Sequence, residues 1–505
     1  MKKRSLTALL MMATLPLAAW VVKKTKAFTK KDNEEAETEK TQMQATDGKI
    51  IVHGFDWGPG VDKVVFTLPE KVDSVFAKNA VIETKGTDRI VKDAFLSDAK
   101  GNEIAKTPSP YITFILQTDF ANNGNPFDFD PQLLMNVWSS DYPLNAHFQA
   151  TRGDSIITCE YEGNCSDKTN LLSPDTDGWK TIPSHSGTYQ NPYTGQNEII
   201  VIGRAVYEPD SLKKDNAKHP LLIWLHGQGE GGSDPDVVIL GNKVSALSKP
   251  PIQNYFKTEG GSDGAYVFVA QAPTYWMDEG DGTNGRGDNP SRYTEALMDA
   301  ISSYVASNPA IDTDRIYLSG CSNGGYMTMN MLIHYPDYFA AAIPNCEAYA
   351  FDHVSLSGDG SAMGGKNWVE STGERWLTDE EIDRIKDIPI WFLASADDET
   401  VIPACYELPT YQALLKAGAE NCWFSYYDHL HMKDDPSAKV MGHWVWVHFF
   451  NNEATGVQNR KEIQSSTDKE TYGFVPSPDT GGPEKATIGD TTFDNCFAWL
   501  NAQRK

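Results

Sequence analysis

Apolar and polar residues follow two different patterns in the two halves of the chain. Between residues 49 and 151, short β-type apolar runs alternate with turns rich in Gly, Pro, Asp and Asn, and amphipathic helical repeats are scarce. The runs are residues 50–52, 64–68, 90–91 and 111–117. This pattern predicts a small β-sandwich of about 100 residues.

A second pattern begins at residue 198, where continuous apolar runs of strand length alternate with helix-length segments. Such alternation predicts an α/β domain with a doubly wound, mostly parallel sheet covered on both faces. The apolar runs are 199–207, 221–225, 265–269, 316–318, 341–343, 390–393 and 423–427, and the helical segments include 293–307, 326–335 and 408–417. We expect ligands to bind at the carboxyl ends of these strands.

The remaining segments complete the predicted domain organisation. A basic start followed by an apolar stretch predicts a signal peptide or an uncleaved anchor over residues 1–27, and therefore export to the cell surface or the medium. Residues 28–47 are polar and predict a spacer, residues 48–165 form the β domain, and the turn-rich residues 166–197 are a connector. The α/β domain then covers residues 198–505.

Composition narrows the classes of partner. A chain of 505 residues is too long for one ordinary core, in agreement with two domains. The 44 basic and 69 acidic residues give a net charge of -25, which disfavours nucleic acids and anionic lipid headgroups. The N-terminal segment is therefore the only membrane contact that we predict. The sequence makes no prediction about the oligomeric state.

The seven cysteines of an exported chain suggest a few disulfides, and one between Cys159 and Cys165 would close a small loop. Their spacing does not include the paired Cys-x-x-Cys pattern of a structural zinc site.

The clearest chemical motif is Gly320-Cys321-Ser322-Asn323-Gly324, a G-x-S-x-G sequence between an apolar strand and a helix-length segment. In this context the motif forms a sharp elbow that exposes the serine hydroxyl at the start of the helix. Glycines at the flanking positions allow the strand and the helix to approach closely. Ser322 is therefore the predicted nucleophile, and the alternative is a turn serine that only caps the helix.

A glycine-rich loop over residues 226–232 follows the predicted strand 221–225. Such a loop before the elbow can direct a backbone N–H at the oxyanion of an acyl-transfer reaction. We predict that the two donors are the N–H of Asn323 and one from Gln228 or Gly229. The alternative of a phosphate-binding loop is disfavoured because no Gly-Lys-Ser/Thr follows.

A carboxylate that follows a buried strand is suited to hold a catalytic histidine. Asp397 and Asp398 both follow the apolar strand 390–393, and their spacing does not separate them. His443 is the favoured base, because it lies on a loop that enters an aromatic helical segment, whereas His448 lies inside that apolar segment.

His429 and His431, together with Asp428, are an alternative set of metal ligands. A further protein ligand at suitable spacing is not evident beside these neighbouring residues, so we predict no metal.

Taken together, these motifs resemble exported esterases of the polyhydroxybutyrate depolymerase-like branch of α/β-hydrolases that carry an immunoglobulin-like N-terminal domain. The matching segments are 52–59, 225–230, 271–273 with Trp276, 314–325, 389–398, 442–444 and 493–500. The chain departs from the family pattern at Cys321 and at insertions over 355–366 and 455–490.

The resemblance implies an immunoglobulin-like sandwich followed by an α/β-hydrolase domain, and serine-dependent ester hydrolysis without a cofactor. It selects Asp398, which stands three residues before Val401 in a D-x-x-V pattern, and it supports His443 as the base. The substrate is then a small or polymeric ester. Tyr275 and Trp276 either line its pocket or are buried in the core.

Cys321 and Cys346 lie at the ends of adjacent predicted strands, and we hypothesise a disulfide between them that braces the elbow. Two other functions remain as alternatives. One is a prolyl-oligopeptidase-type peptidase, although the N-terminal region is too short for a propeller. The other is a surface binding module that has lost its chemistry.

Overall fold

The structure is a computed structural model that describes residues 41–105, 107–280, 285–356 and 369–505. The predicted signal segment and the first part of the predicted spacer lie outside these residues. No helix in the described parts of the chain is long and apolar enough to cross a membrane.

The N-terminal domain consists of two packed five-stranded sheets, with strand orders β1-β11-β10-β4-β5 and β12-β2-β3-β7-β6. Its strands are β1 (Thr41–Gln44), β2 (Asp47–Phe55), β3 (Gly58–Val72), β4 (Ser74–Thr84), β5 (Thr87–Arg89), β6 (Val91–Ser97), β7 (Ser109–Leu116), β8 (Phe127–Asp130), β9 (Met135–Trp138), β10 (Pro143–Arg152), β11 (Ser155–Asn164) and β12 (Leu171–Leu172). The rings of Phe66, Phe114 and Phe148 pack between the sheets. This arrangement confirms the predicted β-sandwich. Strands β8 and β9 form a separate hairpin.

The central element of the second domain is an eight-stranded sheet of order β13-β14-β16-β15-β17-β18-β21-β22. The strands of this half are β13 (Trp179–Gln190), β14 (Asn197–Tyr207), β15 (His219–Leu225), β16 (Tyr266–Gln271), β17 (Ile311–Cys321), β18 (Ala341–Asn345), β19 (Asp352–Leu356), β20 (Val369–Arg375), β21 (Ile390–Ser395), β22 (Cys422–Tyr427), β23 (Thr487–Ile488) and β24 (Thr491–Thr492). Strands β15, β16, β17, β18, β21 and β22 run parallel to one another, whereas β14 pairs antiparallel with both β13 and β16. The predicted mostly parallel α/β fold is therefore confirmed.

Helices and short 3-10 turns connect the parallel strands. The helices are α1 (Asp210–Lys213), α2 (Pro235–Gly241), α3 (Pro250–Gln253), α4 (Thr294–Ser307), α5 (Asn323–His334), α6 (Asp379–Ile385), α7 (Glu407–Lys416), α8 (Trp446–Phe450), α9 (Arg460–Ser465) and α10 (Cys496–Asn501). The 3-10 turns are Lys168–Asn170, Val244–Ser248, Pro403–Cys405 and Gly442–Trp444. Two large apolar clusters form on the two faces of the sheet, as expected for strands that are buried throughout.

The predicted spacer is wrong over its last residues. Strand β1 pairs in parallel with β11, and Met43 and Ala45 are buried in the sandwich core. Two apolar residues at alternate positions are too few to distinguish an edge strand from a polar spacer.

The predicted connector over residues 166–197 is also wrong. Strand β12 belongs to the sandwich, and β13 is the edge strand of the eight-stranded sheet, paired antiparallel with β14. Strand β13 is polar along most of its length, because one edge and much of its surface are exposed. It therefore lacks the apolar run that identified the other strands.

All seven cysteines are buried free thiols, so the hypothesised Cys159–Cys165 and Cys321–Cys346 disulfides are absent. The Cys159 side chain points into the sandwich core, and the Cys165 thiol donates a hydrogen bond to the Gly48 carbonyl. Burial among apolar neighbours satisfies these small side chains without a cross-link.

A buried carboxylate joins the two domains. Asp56 follows strand β2, and its oxygens accept hydrogen bonds from Lys243 Nζ at 2.8 Å and Asn451 Nδ2 at 3.0 Å. They also accept from the backbone N–H groups of Lys433 and Asp434. Hydrogen bonds from both domains satisfy this buried carboxylate, so the contact fixes the sandwich against the α/β domain.

Candidate active site

Ser322 lies at the sharp turn between strand β17 and helix α5, with backbone angles φ 55° and ψ -117°. This conformation is strained for a residue with a side chain and has to be held by its surroundings. A Cβ atom at Gly320 would lie 2.5 Å from the Gly324 carbonyl oxygen, and one at Gly324 would lie 2.1 Å from that of Leu225. Both positions therefore require glycine, as the motif predicted.

A continuous line of hydrogen bonds connects Ser322, His443 and Asp398. The Ser322 Oγ lies 3.0 Å from His443 Nε2, and His443 Nδ1 lies 2.8 Å from Asp398 Oδ2. His443 occupies the 3-10 turn before helix α8, and Asp398 follows strand β21. The structure thus brings together the three residues that the sequence selected.

The two neighbouring aspartates have different environments. Asp398 is buried, and its other oxygen, Oδ1, accepts the backbone N–H groups of Thr400 and Val401 at 2.8 and 2.9 Å. Asp397 instead accepts a hydrogen bond from the Ser395 hydroxyl at 2.6 Å. Asp398 is therefore the carboxylate in contact with His443.

The other candidate histidines have partners outside this line. His429 bonds to the neighbouring Asp428, and His431 Nε2 donates to the Pro478 carbonyl at 2.8 Å. His448 is buried, where it stacks on the Tyr427 ring.

The glycine-rich loop is held by a neutral histidine. His226 Nε2 accepts the Ala272 N–H at 3.0 Å, so the ring proton is on Nδ1 and is donated to the Gly227 carbonyl at 2.7 Å. Complete burial lowers the pKa of His226 to about 4, which keeps the ring uncharged. His226 belongs to the predicted glycine-rich loop but has no predicted role there, because its contact with Ala272 depends on a segment distant in sequence.

Asn323 is the first residue of helix α5, where backbone N–H groups lack partners within the helix. Its side-chain oxygen accepts the Trp276 N–H at 2.6 Å, and the Trp276 indole donates to the His226 carbonyl at 3.0 Å. The structure thus ties the elbow to the glycine-rich loop through Trp276. Gln228 is half-buried, whereas Gly229 is buried with φ 112°.

Tyr275 and Trp276, which the sequence places either at the substrate pocket or in the core, are both buried. Trp276 is fully buried and Tyr275 is 3% exposed, and both belong to the apolar core. The Trp276 side chain packs against His226 and Tyr293. Trp276 therefore lies in the core, where its indole also contacts the start of the glycine-rich loop through the His226 carbonyl.

Three buried glutamates near the site were not selected by the sequence. Burial raises the pKa of Glu230 to about 8, and it raises the pKa values of Glu347 and Glu407 well above the usual range. Glu347 and Glu407 also interact with each other, and Glu407 interacts with Asp398. A glutamate in a loop or at a helix start has no sequence signal that reveals its burial.

Cys346 lies next to Asp398 and His443. Its backbone has φ 38°. Its Sγ atom lies within 4.8 Å of a carboxylate oxygen of Asp398 and a ring nitrogen of His443. Burial raises the pKa of this thiol well above its usual range, so the thiol is uncharged beside Asp398.

Comparison with known proteins supports the two-domain architecture. Residues 276–450 match the prolyl oligopeptidase family, and residues 47–169 match the esterase immunoglobulin-like N-terminal domain. The crystal structure of a thermostable esterase superimposes with a TM-score of 0.57 and 22% identity, over 81% of this chain and 97% of that one.

A sequence relative is the poly(3-hydroxyalkanoate) depolymerase C of Paucimonas lemoignei, which is 38% identical over 69 residues. The match covers 14% of this chain and about 15% of the length of that relative.

Glu230 gives a testable dependence of stability on pH. Between its ordinary pKa of 4.5 and about 8, the unfolded chain releases a proton that the folded protein keeps. The free energy of unfolding contributed by this group therefore falls as the pH rises through that window. The free energy of unfolding, measured in denaturant titrations, should fall less for Glu230→Gln than for wild type between pH 5 and pH 8. We expect the difference between the two decreases to be at least about 1 kcal/mol.

The exposed Glu295→Gln on helix α4 is the matched control and is expected to follow wild type at both pH values. Parallel stability curves for Glu230→Gln and wild type would contradict the assignment of a protonated Glu230.

The sandwich domain, the mostly parallel sheet and the elbow agree with these matches, and the chain combines an esterase-type immunoglobulin-like N-terminal domain with a domain of the α/β-hydrolase fold.

Proposed function

We propose that the protein is a serine-dependent carboxylic ester hydrolase in which Ser322 is the nucleophile, His443 the general base and Asp398 the acid that orients the base. The observation that carries the proposal is the hydrogen-bond line from Asp398 through His443 to Ser322. The order Ser, Asp, His along the chain is that of α/β-hydrolases.

In the first step of the proposed reaction, Ser322 Oγ attacks the ester carbonyl carbon while His443 Nε2 accepts the hydroxyl proton. Asp398 holds the proton on Nδ1 and stabilises the imidazolium that forms. His443 then donates its proton to the leaving alcohol. Water attacks the acyl-enzyme with His443 again as the base, which releases the carboxylic acid and restores Ser322.

The negative charge of the tetrahedral intermediate requires nearby donors. We propose the backbone N–H of Asn323 and one from Gln228 or Gly229. The first N–H groups of helix α5 have no partner within the helix, and the helix dipole adds favourable potential at this end. The hydrogen bonds of His226 and Trp276 join the loop and the elbow, which supports their use as one oxyanion site.

We further propose a small or polymeric ester as the substrate, and export through the N-terminal segment over residues 1–27. The depolymerase name of the Paucimonas lemoignei relative favours polyesters among the candidates.

Replacement of the nucleophile tests the mechanism. Ser322→Ala is expected to reduce kcat for p-nitrophenyl esters by at least about 10⁴-fold, because no other group can form the acyl-enzyme. A fluorophosphonate probe should label wild type and leave the variant unlabelled. The exposed Ser307→Ala at the end of helix α4 serves as the control and should retain full activity. Turnover by Ser322→Ala at the wild-type rate would exclude the mechanism.

The two aspartates provide a matched pair of variants. Asp398→Asn is expected to lower kcat by about 10³–10⁴-fold, because the amide favours the wrong tautomer of His443. Asp397→Asn keeps an acceptor for Ser395 and should stay within about fivefold of wild type. Circular dichroism would verify the fold of both variants. Equal losses in the two variants would contradict the assignment of Asp398.

A peptidase is the second candidate, because residues 276–450 match the prolyl oligopeptidase family. A series of p-nitrophenyl esters of increasing acyl length, assayed beside a blocked Gly-Pro p-nitroanilide, separates the two functions. We expect ester turnover with an optimum chain length and no anilide cleavage above the Ser322→Ala background. Faster turnover of the anilide than of every ester would favour the peptidase.

A further inference from the structure

We infer that the β8–β9 hairpin of the N-terminal domain is a positioning element of the active site, which holds the glycine-rich loop over residues 226–232 in its oxyanion-binding conformation. The inference rests on the proposed acyl-transfer mechanism. It assigns the sandwich domain a part in the chemistry of the other domain.

The hairpin pairs with neither sheet of the sandwich; strands β8 and β9 pair only with each other. Its outer edge lies against the hydrolase domain. The Trp138 indole donates to Asp234 Oδ2 at 2.9 Å, and Asp234 is the N-cap residue of helix α2. Lys168 contacts the same oxygen at 2.6 Å. The hairpin is therefore anchored directly after the glycine-rich loop.

The main contact is a backbone hydrogen bond from Asn136 to the centre of the loop. The Asn136 N–H donates to the Gly229 carbonyl at 2.6 Å. Gly229 has φ 112°, a value that residues with side chains rarely adopt. Because glycine has no Cβ atom, the peptide groups on either side of it rotate more freely than those of other residues. The hydrogen bond from the Asn136 N–H to the Gly229 carbonyl restricts this rotation.

Packing confines the same loop. A Cβ atom at Gly231 would lie 1.7 Å from the Thr274 carbonyl oxygen and 2.8 Å from the sulfur of Met135. The loop is thus enclosed between the hairpin and the segment that follows strand β16.

The hydrolase domain holds the two ends of the loop by itself. His226 bonds to Ala272 at the start, and the Glu230 carbonyl and the Gly232 N–H bond to Gln271 and Ala272 at the end. The restraint on the Gly229 carbonyl comes from the N-terminal domain. Oxyanion donors act through fixed orientation, so loss of this restraint should lower the rate of chemistry more than the affinity for substrate.

The N-terminal domain also reaches the turn that carries the base. The Phe120 ring packs edge-on against Trp444, the residue after His443, with ring centroids 6.0 Å apart. The Phe120 N–H donates to Asp435 at 3.1 Å. Both loops that bear proposed catalytic groups are therefore contacted by the same domain.

The test removes the Asn136 N–H. Because this N–H points out of the hairpin toward Gly229, Asn136→Pro removes it without removing a hydrogen bond between β8 and β9. Asn136→Ala retains the N–H and is the matched control. We expect Asn136→Pro to lower kcat about 10- to 100-fold with KM within about threefold, and Asn136→Ala to remain close to wild type.

A second readout is binding of a boronic acid that mimics the tetrahedral intermediate. Its affinity should fall in Asn136→Pro in parallel with kcat, which a purely structural contact would not produce. If Asn136→Pro fails to fold, the same measurements on Trp138→Phe replace it. This variant keeps the hairpin but loses the hydrogen bond from the Trp138 indole to Asp234. A lower kcat with unchanged KM in that variant supports the inference.

The inference would be overturned if Asn136→Pro had the same kcat and the same boronic acid affinity as wild type. The same result in a folded Trp138→Phe would overturn it if that variant has to be used instead. An equal loss of kcat in Asn136→Ala would also overturn it. These outcomes differ from failure of the proposed function, in which wild type itself neither hydrolyses esters nor is labelled at Ser322.

Discussion

At Gly324 the backbone of helix α5 lies so close to strand β15 that a Cβ atom would sit 2.1 Å from the Leu225 carbonyl oxygen. This approach places the start of the helix over the end of the sheet and holds Ser322 at φ 55°. Strand β17 is central in the sheet, paired with β15 on one side and β18 on the other. The strain at Ser322 is therefore maintained by neighbours that cannot relax independently.

The groups that surround this elbow are mostly buried and uncharged. Burial lowers the pKa of His226 and raises the pKa values of Glu230, Glu347 and Glu407, which in each case favours the uncharged form. The Asp398 carboxylate accepts hydrogen bonds from two backbone N–H groups and from His443. A buried site with few competing charges strengthens the hydrogen bonds within the Ser322–His443–Asp398 line.

The two domains form one structural unit around the site. Asp56 is buried between them with Lys243 and Asn451 as partners, and the β8–β9 hairpin lies along the glycine-rich loop. These contacts are polar and directional, so they fix orientation more than they add affinity. An N-terminal domain attached in this way differs from a binding module on a flexible linker.

The sequence by itself determined the fold class, the elbow, and Ser322 and His443 as two of the residues in contact at the site. Those features depend on local order: an apolar strand, glycines beside Ser322, an acid after a strand and a histidine before an aromatic helix. From the residues alone Asp397 and Asp398 were equivalent, and only the family resemblance favoured Asp398. The tertiary structure showed the reason, since one carboxylate faces His443 and the other faces Ser395.

Other features were decided only by the tertiary structure. The burial of Trp276, the free thiols of Cys321 and Cys346, the polar edge strand β13 and the contact of Asn136 with Gly229 all depend on residues distant in sequence. Local patterns report how a segment can fold, but a side chain acquires its partner, its exposure and its pKa only when other elements pack against it.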